Sequence, residues 1–105
     1  RRAPGDMLIH YRPSKSLRVT VVNSLEALVQ KQAALSDDPE TWLVDLDARA
    51  DVAARGLYAA LRRADGQPGR FIDVVILASW QRDAAWEGVL NRLKKSASSW
   101  SKASG

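Results

Sequence analysis

The sequence contains no cysteine, and its apolar residues never form a long run. Without cysteine, neither a disulfide framework nor a thiolate metal site can form, and such chains are typical of the reducing cytoplasm. No stretch approaches the roughly 20 apolar residues that span a bilayer, and the first residues show no signal-peptide pattern. The sequence therefore predicts a cytoplasmic protein that makes no contact with a membrane.

Glycine-rich phosphate-binding loops are also missing. A dinucleotide site needs such a loop directly after the first strand, where this chain has the glycine-free stretch VVNSLEA, and the P-loop pattern is absent as well. The single histidine, His10, has no obvious partners for a catalytic triad. Taken alone, the chain shows no catalytic residues and no complete active site, so the sequence by itself leaves open whether it is an enzyme.

The sequence does have the composition of one ordinary globular domain. Its 105 residues are 46% hydrophobic and 27% charged, and the net charge of +4 is spread along the chain. Short basic pairs occur at residues 1–2, 62–63 and 94–95. Dispersed pairs of this kind more often lie on solvated surfaces than in nucleic-acid sites, which combine basic and aromatic side chains on one face.

Strand-like and helix-like segments alternate along the chain. Short apolar or β-branched stretches predict strands, and apolar residues at helical spacing predict helices between them. This order is typical of a parallel sheet covered by helices through right-handed crossovers. We therefore predict a small three-layer Rossmann-like α/β domain with a mainly parallel sheet and strand–helix repeats. The predicted strands are residues 17–22, 41–47 and 71–78, and the predicted helices are residues 24–35, 51–64 and 83–98.

Local patterns refine this prediction. The stretch FIDVVILA, residues 71–78, is a nearly continuous apolar run and predicts a central strand with Val74, Val75 and Ile76 almost fully buried. Asn23 followed by Glu26 resembles a capping box and predicts Asn23 as a helix N-cap. Three parallel strands are few, so we expect a further strand from the N-terminal segment or from outside this chain. The serine-rich end, SASSWSKASG, is expected to fray.

The four tryptophans are interpreted first as packing residues. Trp86 lies on the apolar side of the third helix and Trp42 begins a strand, so both are expected to pack. Trp80 follows the most apolar strand, where a ligand or partner contact is an alternative, although packing is favoured. Trp100 lies in the serine-rich end and is expected to be disordered or docked on a neighbour.

Three aspartates at or near strand ends offer an alternative reading as a magnesium site. Asp45 and Asp47 end the second predicted strand, and Asp73 lies inside the third. Paired carboxylates can hold Mg²⁺. Because nothing else converges on them, a cap and a solvated strand-end carboxylate are favoured, and no metal site is predicted.

Three motifs, in a consistent order, carry a resemblance to a known family. The first is APGDMLIHYRPSKSL, residues 3–17, the second is ARGLYAALRRAD, residues 54–65, and the third is GVLNRLKKSA, residues 88–97. Together they resemble the linker and the smaller C-terminal domain of the two-domain threonylcarbamoyl-AMP synthases. The matching residues are Pro4, Gly5, His10, Tyr11, Pro13 and Leu17; Ala54, Leu57, Tyr58, Leu61, Arg62 and Asp65; and Asn91, Arg92, Leu93, Lys95 and Ala97.

The resemblance implies that residues 1–16 are an interdomain linker and residues 17–105 a Rossmann-like C-terminal domain. In this family a larger catalytic domain, expected to lie outside this chain, precedes the linker. It is a nucleotidyltransferase that makes threonylcarbamoyl-AMP from threonine, bicarbonate and ATP for threonylcarbamoyladenosine modification of tRNA. ATP and magnesium are expected in that domain, and no cofactor is expected in this chain.

The resemblance also implies that the linker is a lid over the catalytic cleft, with His10, Tyr11 and Pro13 as its functional residues. A proline-stiffened loop loses little entropy when it closes, and a closed lid keeps water from a hydrolysable mixed anhydride. The expected partners are the N-terminal catalytic domain of the same polypeptide and other tRNA-modification proteins. Without that catalytic domain, residues 3–13 are expected to be mobile or to make an arbitrary packing contact, and the alternative is that Tyr11 packs on the first helix and anchors the chain.

Two other hypotheses stay open at this point. The chain could be a stand-alone Rossmann-like module that binds a nucleotide, or a small interaction domain that docks a partner protein or a tRNA. The sequence encoded directly upstream of Arg1 discriminates between these hypotheses and the synthase, because only the synthase requires a catalytic domain there.

Overall fold

The computed structural model describes residues 11–103, in which four strands alternate with three α-helices. Two short 3-10 turns, Ala78–Arg82 and Ala84–Trp86, connect the third strand to the last helix. The strands are β1 (Ser16–Val22), β2 (Thr41–Leu43), β3 (Phe71–Leu77) and β4 (Ser99–Lys102), and the helices are α1 (Leu25–Ser36), α2 (Ala50–Asp65) and α3 (Glu87–Ser96).

The strands form one all-parallel sheet in the order β2-β3-β1-β4. β1 and β3 pair along their full lengths and lie inside the sheet, whereas β2 and β4 form its edges. α1 packs on one face, and α2 and α3 pack on the other. Right-handed crossovers require this arrangement, because the connection after β1 runs along the sheet in the opposite direction to the other two. The predicted three-layer Rossmann-like α/β fold is therefore confirmed.

The main core lies between the sheet and the pair α2 and α3. Side chains alternate along β1, so Leu17, Val19 and Val21 face these two helices. From α2, Leu57 and Leu61 fill the layer and are 1% and 0% exposed. A smaller cluster lies under α1 on the other face. The apolar spacing of α2 thus explains why this helix lies flat on the sheet.

The strand β3 is buried on both faces, as its apolar run predicted. Val74, Val75 and Ile76 are 0%, 1% and 0% exposed. Its one acidic residue, Asp73, accepts hydrogen bonds from Arg18 Nε at 3.1 Å and Arg18 Nη2 at 2.6 Å, and from the Thr41 hydroxyl. A buried carboxylate is tolerated only with such partners, so the pairing of β1 with β3 is what allows Asp73 in this position.

The serine-rich end does not fray in its described part, so this prediction is wrong. It forms β4, which pairs in parallel with residues 18–21 of β1, and the Ser98 N–H donates to the Leu17 carbonyl at 2.7 Å. Trp100 is half-buried against the main core, and the Lys94 ammonium lies 5.7 Å from its ring centroid. The further strand is β4, formed by residues 99–102, so the expectation that it comes from the N-terminal segment or from outside this chain is wrong.

The cap of α1 is Ser24, so the prediction of Asn23 is wrong by one residue. The Ser24 hydroxyl accepts a hydrogen bond from the Ala27 N–H at 3.1 Å, and Ser24 has extended backbone dihedrals. A serine directly before the first helical residue satisfies a free N–H of the first turn. The predicted and observed lengths of α1 otherwise agree closely.

The strand β2 ends at Leu43 and does not reach residue 47. The Val44 N–H still donates to the Asp73 carbonyl at 2.9 Å, after which the chain leaves the sheet towards α2. Because β2 is a short edge strand, Trp42 is 40% exposed. The prediction that Trp42 is a packed residue is therefore wrong.

The predicted helix over residues 83–98 is divided in the structure. The Asp83 carboxylate accepts a hydrogen bond from the Ala85 N–H at 3.0 Å and starts the turn Ala84–Trp86, so α3 begins only at Glu87. Trp86 is 3% exposed and belongs to the main core, as predicted. This turn places the Trp86 indole in the main core directly before α3 begins.

Candidate functional site

Residues 11–15, here called the anchored segment, lie against the C-terminal ends of α2 and α3. Pro13 is buried, and Tyr11 is half-buried against the main core. Residues 11–13 thus contact the domain, whereas the mobility expected of residues 3–13 stays a prediction. His10, the remaining predicted lid residue, lies outside the described residues.

Tyr11 makes the widest contacts of the anchored segment. Its ring meets the Tyr58 ring edge-on, with centroids 5.8 Å apart and an interplanar angle of 73°. The Arg62 guanidinium lies 5.3 Å from the Tyr11 ring centroid, and the Ser96 hydroxyl donates to the Tyr11 carbonyl at 2.7 Å. Edge-to-face and cation–π contacts each add about 0.5–1 kcal/mol beyond the buried area, so Tyr11 is held by both helices.

Asp65, the last residue of α2, holds the next two residues of the segment. Its carboxylate accepts hydrogen bonds from the backbone N–H groups of Ser14 and Lys15, each at 3.0 Å, and from the Ser14 hydroxyl at 3.0 Å. Burial by itself raises the pKa of the Asp65 carboxyl, but the hydrogen bonds from Ser14 and Lys15 and the Lys15 charge outweigh it. The net pKa lies below its ordinary value, so Asp65 is ionised at neutral pH.

Two cations of the segment bind the carbonyl ends of the helices. The Lys15 ammonium donates to the Ala64 carbonyl at 3.2 Å and also to the Gln67 carbonyl, and Arg12 Nη2 donates to the Lys95 carbonyl at 3.0 Å. The C-terminal end of a helix carries free carbonyl groups and partial negative charge, which favour a cation there. Both helix ends are thus capped by the same five-residue stretch.

The phenols of the site are held in their neutral form. Burial raises the pKa of Tyr11, and the Asp65 charge raises it further, whereas Arg62 opposes the shift. Burial likewise raises the pKa of Tyr58, against the opposing charge of Arg92. Neutral phenols can pack against apolar side chains, and both rings serve as packing contacts here.

The motif residues of α2 explain the position of the site. Tyr58, Arg62 and Asp65 follow one another at spacings of four and three residues, so they share one face of the helix. We call these three residues the anchoring face. The sequence singled them out as a motif without indicating what they bind, and they contact Tyr11, Ser14 and Lys15.

Sequence reasoning missed part of the site. Arg12, Ser14 and Lys15 were not selected, because polar residues close to a proline are typical of any surface loop. Ser96 was not selected, because a serine near the end of a predicted helix does not indicate a partner. The sequence did contain one weak signal. Ser14 and Lys15 directly precede β1, and α2, which packs on the same sheet, ends in the acidic residue Asp65. Only the fold shows that this acid, Asp65, faces them.

The three aspartates considered as magnesium ligands do not converge. Asp73 pairs with Arg18, Asp47 accepts hydrogen bonds from Arg49, and Asp45 accepts one from Gln32. Over residues 11–103 there is no group of three or more histidine, cysteine or acidic residues that could hold a metal ion. Across the same residues no helix has the length and apolarity needed to cross a membrane.

Comparison with known families gives one match. The family model described as "Threonylcarbamoyl-AMP synthase, C-terminal domain" matches residues 1–98 of the 105-residue chain. The match covers the anchored segment and the anchoring face. No curated protein and no solved structure matches the chain.

Proposed function

Because this chain belongs to the family of threonylcarbamoyl-AMP synthase C-terminal domains, we propose that it is the accessory domain of an ATP-dependent synthase and holds one end of a lid. The synthase makes threonylcarbamoyl-AMP in the cytoplasm for threonylcarbamoyladenosine modification of tRNA. The lid is the linker over residues 1–16, and it covers the catalytic cleft of a domain that precedes it in the same polypeptide. ATP and magnesium bind to that catalytic domain.

The contact between the anchored segment and the anchoring face is the observation that carries this proposal. A lid that opens and closes repeatedly needs one end fixed with respect to the rest of the protein, with the moving part beyond a hinge. Hydrogen bonds from Ser14 and Lys15 to Asp65, and the Tyr11 contacts with Tyr58, supply a fixed end. In this proposal the anchored segment is thus the fixed end of the lid.

The roles of the three lid residues differ in this proposal. Tyr11 and Pro13 are positioning residues, because their side chains rest on this domain. His10 directly precedes the anchored segment and is the residue proposed to reach the substrate with a polar contact. Closure of the lid excludes water and protects the mixed anhydride between threonylcarbamate and AMP from hydrolysis.

The test is Asp65→Asn in the complete synthase, with pyrophosphate release followed in the presence of ATP, threonine and bicarbonate. The substitution removes the charge that accepts the hydrogen bonds of Ser14 and Lys15. A loss of about 1.4 kcal/mol of anchoring lowers the closed fraction, and with it the turnover, roughly tenfold. The fraction of folded domain, measured by circular dichroism at the assay temperature, is expected to stay unchanged.

The matched control is Asp51→Asn on the same helix. Asp51 lies in the first turn of α2, is 74% exposed and only approaches Arg55 Nη1 at 3.7 Å. Its loss is expected to leave turnover unaltered, because exposed ion pairs of this kind contribute little. Equal turnover of the Asp65→Asn and unaltered enzymes, with both folded, would show that the anchored segment has no part in catalysis.

A further inference from the structure

A second surface, remote in sequence from the anchored segment, contains an unusual aromatic pair. Trp80 lies parallel to Trp86, with ring centroids 3.8 Å apart and an interplanar angle of 6°. Trp86 is buried in the core, so it fixes the plane of Trp80. Trp80 remains half-exposed and lines an open groove of 400 Å³ between the 3-10 turns and α3. We call this the indole groove.

The indole groove begins beside the point where the chain direction along the sheet reverses, and it is lined from the β3 side, because no described residue of the connection after β1 lines it. The connection after β1 passes β3 to reach β2, whereas the connection after β3 passes β1 to reach β4, so the chain leaves these two neighbours in opposite directions. In open α/β sheets, ligands bind outside the carboxyl ends of the strands at such a switch point. Trp80 lies in the turn Ala78–Arg82 that directly follows β3.

The side chains around the indole groove suit a planar ring that carries a phosphate. Since Trp86 covers one face of the Trp80 ring, the part of Trp80 that lines the groove is available to stack with a further ring. Gln81 and Asn91 line the same groove and offer amide donors and acceptors for the edge of a base. The volume lies within the range of about 300–1,000 Å³ that is typical of small-molecule sites.

The charges of the indole groove limit the negative charge that a bound ligand can carry. Arg82 and Lys94 line the groove and form no salt bridge within residues 11–103. The Lys94 ammonium lies 5.7 Å from the Trp100 ring centroid, so it turns from that ring when it binds a phosphate together with Arg82. Asp83 and Glu87 also line the groove, and their charges balance those of the two cations. This balance favours a ligand with a single phosphate over a triphosphate, whose higher negative charge the carboxylates repel.

We propose that the indole groove binds a nucleoside monophosphate unit, with the base stacked on Trp80 and the phosphate bound by Arg82 and Lys94. The unit comes either from a free nucleotide or from an unpaired nucleotide of an RNA. The proposal is independent of the lid, because none of the groove residues belongs to the anchored segment or to the anchoring face.

The experiment titrates the 105-residue chain with AMP, with adenosine, with inorganic phosphate and with a short single-stranded oligoadenylate RNA. Amide chemical shifts by NMR locate the site, and calorimetry gives the affinities. We expect AMP to shift the amides of residues 80–94, with adenosine and phosphate each binding more weakly. If the RNA binds more tightly than AMP at the same amides, its unpaired nucleotide is the source of the ligand; equal affinity indicates the free nucleotide.

Variants separate this site from non-specific binding. Trp80→Ala is expected to weaken AMP binding at least about fivefold, as loss of one base–aromatic stack does, whereas Trp80→Phe retains most of the affinity. Lys94→Gln and Arg82→Gln, both at exposed positions, keep the core intact and weaken AMP more than adenosine. The matched control is Trp42→Phe, at an exposed tryptophan on β2, which leaves binding unchanged.

Four results would overturn the proposal. These are no AMP-dependent shift at millimolar concentration, shifts that map away from the groove, equal affinity of Trp80→Ala and the unaltered chain, and binding of inorganic phosphate as tight as that of AMP. The last result would identify an anion site without a base subsite. Thermal melting of each variant shows whether it is folded, and the two glutamine variants still test the site if Trp80→Ala unfolds.

Discussion

Position 69 requires glycine, because its backbone has a positive φ and lies very close to Glu40. Its φ of 103° lies in the left-handed region, and a Cβ added there would be 2.7 Å from the Glu40 carbonyl oxygen. The close approach serves the turn, because the N–H groups of Arg70 and Phe71 both donate to that same carbonyl, at 2.8 and 3.0 Å. Side chains are excluded from this turn by both backbone strain and steric overlap.

We expect Gly69→Ala to lower the free energy of unfolding by about 2 kcal/mol or more, since alanine adds strain at positive φ and also meets Glu40. The control is Gly56→Ala in α2, where an added Cβ meets nothing within 4 Å. That change should stabilise the domain by about 0.5–1 kcal/mol, because alanine favours the helix. Urea denaturation measures the change in the free energy of unfolding for each variant. Equal changes for Gly69→Ala and Gly56→Ala would contradict this account of the turn.

The burial of single residues could be predicted from the sequence, whereas their contacts with distant residues could not. Val74, Val75 and Ile76 could be predicted as buried, because an unbroken apolar run requires cover on both faces. Arg18 and Asp73 could not be predicted as a pair, since their contact depends on which strands are neighbours. In the same way, the motif singled out Tyr58, Arg62 and Asp65, but their contacts with the anchored segment could be seen only in the folded structure.

At the scale of elements, β4 is the clearest departure from the sequence-based expectation. Serine-rich composition favours a frayed end, but composition cannot report that an interior strand has an open edge beside it. β1 pairs with β3 on one side and needs a partner on the other, and β4 supplies it. Trp100 adds the apolar contact with the core that fixes this strand.

We expect Trp100→Ala to lower the free energy of unfolding by about 1–3 kcal/mol, since a half-buried indole loses its contacts with the core and with Lys94. Amide exchange in residues 18–21 of β1 should become faster, because β4 pairs with these residues. Trp42→Ala, at the exposed tryptophan of the opposite edge, is the control and should have a much smaller effect. An unchanged melting temperature for Trp100→Ala would indicate that β4 contributes no stability.

At the scale of the whole molecule, Asp65 links the stability of the domain to pH. Burial raises the pKa of Asp65, but the hydrogen bonds from Ser14 and Lys15 bring it below its ordinary value of about 3.9. A carboxyl group with a lowered pKa in the folded state stabilises that state above its unfolded pKa, and this contribution disappears as the pH falls through the folded pKa. Asp65 therefore stabilises the domain at neutral pH and not in strong acid.

The expected outcome is a pH-dependent gap between the unaltered chain and Asp65→Asn. Urea denaturation should show the unaltered chain as the more stable one from neutral pH down to about pH 5, with the gap shrinking below about pH 4. Asp47, whose pKa is lowered by its hydrogen bonds with Arg49, titrates in both proteins and cancels from the difference. A gap of constant size down to the lowest pH would mean that Asp65 acts by packing and not by charge.

The fold class could be predicted from sequence, because the alternation of strands and helices admits few arrangements once crossovers are right-handed, whereas the edge strand β4 could not. The candidate site could be predicted only in part. Tyr11 and Pro13 were selected through the family resemblance, whereas the contacts of Tyr11 with α2 and α3 and the burial of Pro13 depend on packing between segments far apart in the chain. Local patterns carry no information on such contacts.

The position of β1 between β3 and β4 has a consequence for the order of folding. Arg18 meets Asp73 across 55 positions of the chain, and Leu17 meets Ser98 across 81. Sheets built from such distant pairs have high contact order and fold on a scale of about milliseconds to seconds, because each pair must first close a long loop. During that time β1 exposes both of its edges to solvent and to other chains. On the ribosome, β1 emerges before either of its partners and completes its pairing last.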